Sequence, residues 1–168
     1  IMSKRDSADF RVGDLIVYPA HGVGRIVSIR EEELYGARAE MIVITIEQEG
    51  LRLMVPTGRV APSGLRRLAD RTLAERALEV LAGRPKGKTG TWPRRAQEYE
   101  RKIRSGDLLL AAEVVRDLRA GSGSGSYSER QIYERALDRV VREVGPVLGR
   151  DTELLRRELE PSGDRKAA

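Results

Sequence analysis

The amino-acid sequence predicts an α+β fold in which a small, bent β-sheet or barrel precedes an all-α bundle of about five helices. Residues 10–62 contain short β-branched runs separated by glycine turns, as strands do. Residues 63–160 repeat apolar side chains at helical spacing. We therefore predict two domains with these bounds, preceded by a flexible segment over residues 1–9 and followed by a disordered tail over residues 161–168.

Turn residues divide the β domain into strands. A short apolar strand ends at Pro19, and a tight turn over His21–Gly24 leads into a strand of alternating apolar and polar residues. Met41–Glu47 and Leu51–Pro56 would pair as a hairpin through a glycine turn. The acidic segment Glu31 to Gly36 precedes this hairpin. It is predicted to be a solvated strand end that leads into a loop.

Capping residues predict where the helices begin. Thr72 and Glu75 have the spacing of a capping box, and Pro93 fits a first helical turn because its missing N–H is not needed there. A flexible linker is expected over Gly121–Ser126. Three further helices are expected to begin after N-cap residues, namely Asp107, Ser126 and Asp151.

Composition and small motifs argue against catalysis and against metal binding. The chain has no cysteine, which excludes disulfides, thiolate zinc sites and cysteine nucleophiles. The single histidine, His21, lies in a turn without a carboxylate nearby in sequence, which is more typical of a surface residue than of a general base. Gly22–Gly24 lacks the third glycine, the lysine and the helix of a phosphate loop. We expect no enzymatic activity, no cofactor and no metal.

The N-terminal residues lack the apolar core of a signal peptide, and no segment approaches the ~20 apolar residues of a membrane span. We therefore expect a cytoplasmic protein without a membrane partner.

Positive charge is concentrated in the second half of the chain. Residues 1–70 contain ten basic and ten acidic residues, so the net charge of +5 arises from residues 71–168. Most of the excess lies in residues 84–104, which carry eight basic and two acidic residues. Such a patch is typical of a protein that binds a polyanion. Charge alone favours this interpretation and a solvated helix face equally.

The only tryptophan lies within this basic region. Trp92 stands between a threonine and a proline at the predicted start of a helix. Filling the helical core is the more common role of a lone tryptophan, but its position before the helix favours an exposed aromatic that stacks on nucleic-acid bases. Five basic residues lie within eight positions of it: Arg84, Lys86, Lys88, Arg94 and Arg95.

These motifs together resemble one known family. The CarD/CdnL family comprises bacterial regulators of transcription initiation. This chain resembles the DNA-binding half of that family in five strings: Thr91-Trp-Pro-Arg-Arg95, Glu98-Tyr99, Lys102-Ile103, Ser105-Gly106 and Ala112–Leu118. The polymerase-interacting domain of that family, a Tudor-like bent sheet shared with the transcription-repair coupling factor, is similar to Val12–Asp14, Val17–Pro19, His21–Gly24 and Met54–Pro56. The resemblance covers residues 10–160.

The resemblance implies a monomer with two partners. Its β domain would bind the β subunit of RNA polymerase through Arg52, Met54 and Pro56, and strand addition to an exposed sheet edge is a plausible mode. Ordinary core packing is the alternative for Met54. Trp92 would wedge into the minor groove of promoter DNA at the upstream edge of the melted region and stabilise the open complex.

Basic side chains would neutralise the phosphates around that wedge. The resemblance assigns this role to Arg94 and Arg95. This chain has Ala96 and Gln97 where the family often has an aromatic and a further basic residue. DNA contact would therefore be weaker, or would shift toward four other residues: Lys86, Lys88, Arg101 and Lys102.

Two other functions fit parts of the sequence. A nucleic-acid adaptor of the ribosome or of DNA repair would bind DNA or RNA through the helices without polymerase. An enzyme with a helical lid would depend on His21. The neutral charge of residues 1–70 favours a protein partner for the β domain and so supports the transcription hypothesis.

Overall fold

The computed structural model describes residues 10–86, 90–119 and 126–160. The chain divides into two compact units, Ile1–Leu68 and Ala69–Ala168. A five-stranded antiparallel sheet forms the first unit and five helices form the described part of the second. The predicted α+β class is confirmed. Three predicted segments lie wholly or mostly outside the described part of the chain: residues 1–9, residues 121–125 of the linker and the tail residues 161–168.

The first four strands follow one another as hairpins, so they are neighbours both in sequence and in the sheet, whereas the fifth strand pairs with the first. The order across the sheet is β4-β3-β2-β1-β5, and every pair is antiparallel. Short 3₁₀ turns cover Glu47–Glu49 and Thr57–Arg59, and Val60–Ser63 forms a single helical turn, α1. The strands are β1 Leu15–Tyr18, β2 Gly22–Leu34, β3 Ala37–Ile46, β4 Leu51–Pro56 and β5 Arg66–Arg67.

The long hairpin between β2 and β3 corrects the sequence prediction. The acidic segment was expected to become a loop near Glu31, yet β2 continues to Leu34 and pairs there with Ala37. Only Tyr35 and Gly36 form the turn, with φ values of 51° and 78°. Positive φ at both central residues is what a two-residue turn between twisted strands requires, which explains the tight connection.

Isoleucine side chains fill the core of the first unit. Side chains alternate between the two faces of a strand, and on β4 this directs Leu51, Leu53 and Val55 toward the core. Gly24 of β2 lies close to the neighbouring strand β3, and a Cβ atom there would stand 2.6 Å from Ile46 Cδ1. The turn predicted over His21–Gly24 therefore ends earlier, because Gly22–Gly24 already belong to β2. Five isoleucines are completely buried: Ile16, Ile26, Ile42, Ile44 and Ile46.

The second unit is a bundle around one apolar core. Alanines on α2 and α4 let the helices approach closely, and the long α5 contributes the largest share of the buried side chains. No helix in the described residues is long and apolar enough to cross a membrane. The helices are α2 Arg71–Ala82, α3 Trp92–Arg104, α4 Leu108–Arg119, α5 Tyr127–Leu148 and α6 Thr152–Leu159.

Pro93 lies in the first turn of its helix as predicted, and three of the four predicted N-caps are also present. The side chains of Asp107, Ser126 and Asp151 each accept a backbone N–H in the first turn that follows. The capping box at Thr72 is wrong. Asp70 caps α2 instead, because its carboxylate accepts the N–H of Leu73 at 2.8 Å and satisfies the first turn two residues earlier.

Gly24 gives a direct test of the sheet packing. Substitution Gly24→Ala would force a methyl group against Ile46 Cδ1, Ile44 Cγ2 and the backbone oxygen of Thr45. We expect the free energy of unfolding to fall by about 1–3 kcal/mol, as measured by urea denaturation. Gly58→Ala is the matched control, since a Cβ atom there meets nothing within 4 Å. Equal stability of the two variants would contradict this packing.

Candidate functional site

A basic groove lies on the second unit, between α3, the end of α4 and the segment that follows α2. Its volume is about 620 Å³. Five of the seven residues predicted to bind DNA line it, together with Gln97, Glu98, Tyr99 and Asp117. The structure therefore brings together residues that are distant in sequence: Lys86, Arg94, Arg95, Arg101 and Lys102. The sixth, Lys88, lies outside the described residues.

The cations of the basic groove differ in how far neighbouring acids compensate them. Arg101 donates to both carboxylate oxygens of Glu98, at 3.1 and 2.6 Å, and this bond lowers the pKa of Glu98. Lys102 donates to Glu113 at 3.0 Å and keeps only 16% of its side chain exposed. An external anion would therefore compete with a carboxylate of the protein for each of these two cations.

Arg94 and Lys86 are the least compensated cations of the groove. Both residues are exposed, and neither side chain forms an ion pair with any residue that the structure describes. Arg94 lies in the first turn of α3. A phosphate that entered the groove would meet these two charges without first displacing a carboxylate.

Trp92, the seventh predicted residue, is the first residue of α3 and is half-buried. The expectation that it stands before the helix and away from the core is wrong, because the indole packs partly against the helical core. Its Nε1–H donates to Ser128 Oγ on α5 at 3.1 Å. The ring centroid lies 6.4 Å from that of Tyr99. The tryptophan is thus held in a defined position at the rim of the bundle.

Arg95 lies over both aromatic rings beside the basic groove. Its guanidinium carbon is 5.5 Å from the centroid of Trp92 and 5.7 Å from that of Tyr99. It also donates to the Tyr99 hydroxyl at 3.2 Å. Cation–π contact of this kind fixes the aromatic rings and leaves the positive charge next to the indole. Arg95 is therefore both a support for Trp92 and a cation of the site.

Asp117 fixes the segment that carries Lys86. This carboxylate on α4 is only 8% exposed, and it accepts the backbone N–H of Lys86 at 3.0 Å and Arg116 Nε at 2.9 Å. Hydrogen bonding to Asp117 raises the pKa of the Arg116 guanidinium. Two residues on, Arg119 donates to the carbonyl of Leu81 in the last turn of α2. Sequence reasoning missed Asp117 and Ser128, because both acquire their role from contacts more than 30 positions away.

One of the two edge strands of the sheet is β4. Within the described residues, β4 pairs only with β3, so its other edge carries unpaired backbone groups. Arg52 is exposed, Met54 is 43% exposed, and Pro56 is half-buried. The core-packing alternative for Met54 is wrong, because it lies on the face opposite to the half-buried leucines and the buried Val55 of the strand.

His21 has a partner that its sequence neighbourhood did not suggest. Its Nδ1 lies 2.7 Å from Glu49 Oε2 in the turn between β3 and β4, and its ring stacks on Tyr18. Gln48 of the same turn donates to the carbonyl of Val23 at 3.1 Å. The pair therefore joins two turns of the sheet. No group of three or more potential metal ligands occurs among the described residues.

Removal of Asp117 tests its structural role. Asp117→Ala would leave the Lys86 N–H without its acceptor and Arg116 without its carboxylate in a nearly buried position. We expect a loss of about 2–4 kcal/mol in the free energy of unfolding, measured by urea denaturation. Asp117→Asn keeps an acceptor oxygen for Lys86 and should lose less. A change below about 0.5 kcal/mol in the alanine variant would contradict the role.

The chain is similar to known proteins over both of its units. The family model described as CarD, C-terminal domain, matches residues 76–160, and the model described as CarD-like/TRCF RID domain matches residues 10–69. YdeB, a proposed transcription factor of Bacillus subtilis (strain 168), is 28% identical over 142 residues, which cover 83% of this chain and 93% of YdeB. The solution NMR structure of the 72-residue N-terminal domain of Myxococcus xanthus CarD is 36% identical. It covers 34% of this chain and 77% of that domain, with a TM-score of 0.31.

Proposed function

Because this chain belongs to the CarD family of transcription regulators, which interact with RNA polymerase, we propose that it acts on the open promoter complex. The first unit would bind the polymerase β subunit and the second unit would bind promoter DNA. The observation that carries this proposal is the presence of both family domains in one chain, over residues 10–69 and 76–160. The half-buried tryptophan beside a basic groove supports the assignment of DNA to the second unit.

The polymerase contact would use the free edge of β4. A strand added to this edge gains main-chain hydrogen bonds, while Arg52 and Met54 offer exposed side chains on one face. Pro56 ends the edge without an N–H to donate. Residues 1–70 carry no net charge, which suits a protein surface better than a nucleic acid.

The DNA contact would place Trp92 in the minor groove at the upstream edge of the melted region. There an aromatic wedge meets bases that are already unstacked, so the free-energy cost of its insertion is small. The wedge must leave before the duplex can close. Stacking worth ~1–3 kcal/mol would slow closure by roughly 5- to 150-fold. Arg94 and Lys86 would hold the flanking phosphates, since their charges are the least compensated in the groove.

This mechanism needs no chemical step by the protein. Among the described residues, His21 and Glu49 form the one histidine–carboxylate contact, and their side chains are 33% and 43% exposed. We therefore propose a binding protein that acts as a monomer and not as an enzyme. Its effect at a promoter would follow from how stable the open complex already is.

The polymerase contact can be tested with one charge on β4. We expect Met54→Glu to weaken binding of the chain to purified RNA polymerase at least tenfold, because it places an anion in the apolar part of the proposed interface. Binding is measured by biolayer interferometry. Val12→Glu adds the same charge at a residue that is 61% exposed and outside the strands, and it should bind normally. Normal binding by both variants would exclude the β4 edge.

The wedge can be tested through the lifetime of open complexes. We expect the protein to lengthen the lifetime measured after a competitor challenge by roughly 5- to 150-fold. Trp92→Ala should remove most of that gain. Trp92→Phe keeps an aromatic ring and should retain part of the effect. A lifetime that the protein does not change would contradict the proposal and would favour a nucleic-acid adaptor instead.

Two arginines on α3 provide a matched pair for the phosphate contacts. Arg94→Ala removes an unpaired cation, whereas Arg101→Ala removes one that Glu98 already compensates. In DNA-binding titrations at several salt concentrations, we expect the log–log slope to decrease in magnitude by about 0.9 for Arg94→Ala and by less for Arg101→Ala. Equal slopes for the two variants would count against the assignment of Arg94.

A further inference from the structure

The indole N–H of Trp92 is already used within the protein. It donates to Ser128 Oγ at 3.1 Å, from the first residue of α3 to the second residue of α5. An indole has only this one donor and no acceptor. Whatever the exposed part of Trp92 touches therefore meets carbon atoms of the ring.

Ser128 is free to take this bond because another serine caps its helix. Ser126 Oγ accepts the N–H of Glu129 at 3.3 Å and so satisfies the first turn of α5. The two serine hydroxyls lie 3.2 Å apart, so Ser128 can donate to Ser126 while it accepts from Trp92. The capping role of the pair does not depend on the hydroxyl of Ser128.

Two further contacts hold the ring in the same orientation. Arg95 lies over the indole and Tyr99 packs beside it at an interplanar angle of 48°. Together with the bond to Ser128, they keep the nitrogen edge of the ring turned toward α5. Rotation that would bring the N–H outward has to break the hydrogen bond and the stacking with Arg95.

The orientation matters because the floor of the minor groove distinguishes donors from acceptors. Adenine N3 and thymine O2 accept hydrogen bonds there, and guanine adds an N–H₂ donor. A free indole N–H would therefore favour A·T pairs over G·C pairs. An indole that presents only carbon can stack on any base, since every base has a π face.

We propose that Ser128 is a specificity-determining residue that keeps the wedge neutral to DNA sequence by accepting the indole N–H. This inference rests on the proposed function, in which Trp92 enters the minor groove. Ser128 acts through Trp92 and does not itself touch DNA. Loss of its hydroxyl would release the N–H and give the wedge a preference for A·T pairs.

The hydrogen bond is tested first in the free protein. Trp92 is the only tryptophan of the chain, so its fluorescence reports on this site alone. Ser128→Ala should shift the emission maximum and lower the anisotropy, because the ring loses a fixed partner. Ser128→Thr keeps the hydroxyl and should resemble the natural chain. Thermal unfolding of the three proteins, followed by circular dichroism, shows whether the fold is unchanged.

Sequence preference is then measured on two promoters that differ only in one base pair at the upstream edge of the melted region, A·T or G·C. The quantity is the gain in open-complex lifetime that the protein confers on each promoter. For the natural chain and Ser128→Thr we expect equal gains within about twofold. For Ser128→Ala we expect the gain on the A·T promoter to exceed that on the G·C promoter by about fivefold, the effect of one hydrogen bond.

The outcomes separate this inference from the proposed function. If the natural chain lengthens neither lifetime, the proposed function fails and this inference fails with it. If the natural chain lengthens both and Ser128→Ala still shows equal gains, only the role of Ser128 is overturned, whether or not the emission shifts. A preference for A·T in Ser128→Ala that Ser128→Thr does not show would support the role.

Discussion

The basic groove depends on one buried carboxylate at the end of α4. Asp117 accepts hydrogen bonds from the backbone of Lys86 and the side chain of Arg116, and two residues on Arg119 donates to the carbonyl of Leu81 in the last turn of α2. Without an anion at this point, a segment rich in basic residues would be repelled from the helices around it. The carboxylate is almost completely buried in the wall of the groove, where it offsets part of the surrounding positive charge.

The two units divide the chemistry of the chain between them. The first unit has a nearly balanced charge and an open strand edge, which are the features that a protein partner can use. The second unit carries the excess positive charge and an aromatic ring that is partly buried and partly exposed. Partial burial suits a wedge, because a ring that is already held in one orientation loses little conformational freedom when it inserts.

Local patterns in the sequence predicted most of the fold. Alternation on β4 and the N-caps at Asp107, Ser126 and Asp151 depend on neighbours within a few positions, so they could be read directly. The surroundings of Trp92 could not, because Ser128 reaches it from 36 positions away. The contact between His21 and Glu49 also comes from two turns that meet only in the folded sheet. The strand beyond Glu31 was missed because its charged residues break the apolar alternation that marks a half-buried strand.

In the proposed function, Trp92 lies at the upstream edge of the melted promoter while the chain is bound to polymerase. The most direct measurement replaces Trp92 with the photo-crosslinking residue p-benzoylphenylalanine and maps the crosslinked nucleotides in assembled promoter complexes. We expect crosslinks at the upstream edge of the melted region, which disappear when polymerase is omitted. Crosslinks spread along the DNA, or present equally without polymerase, would contradict the account.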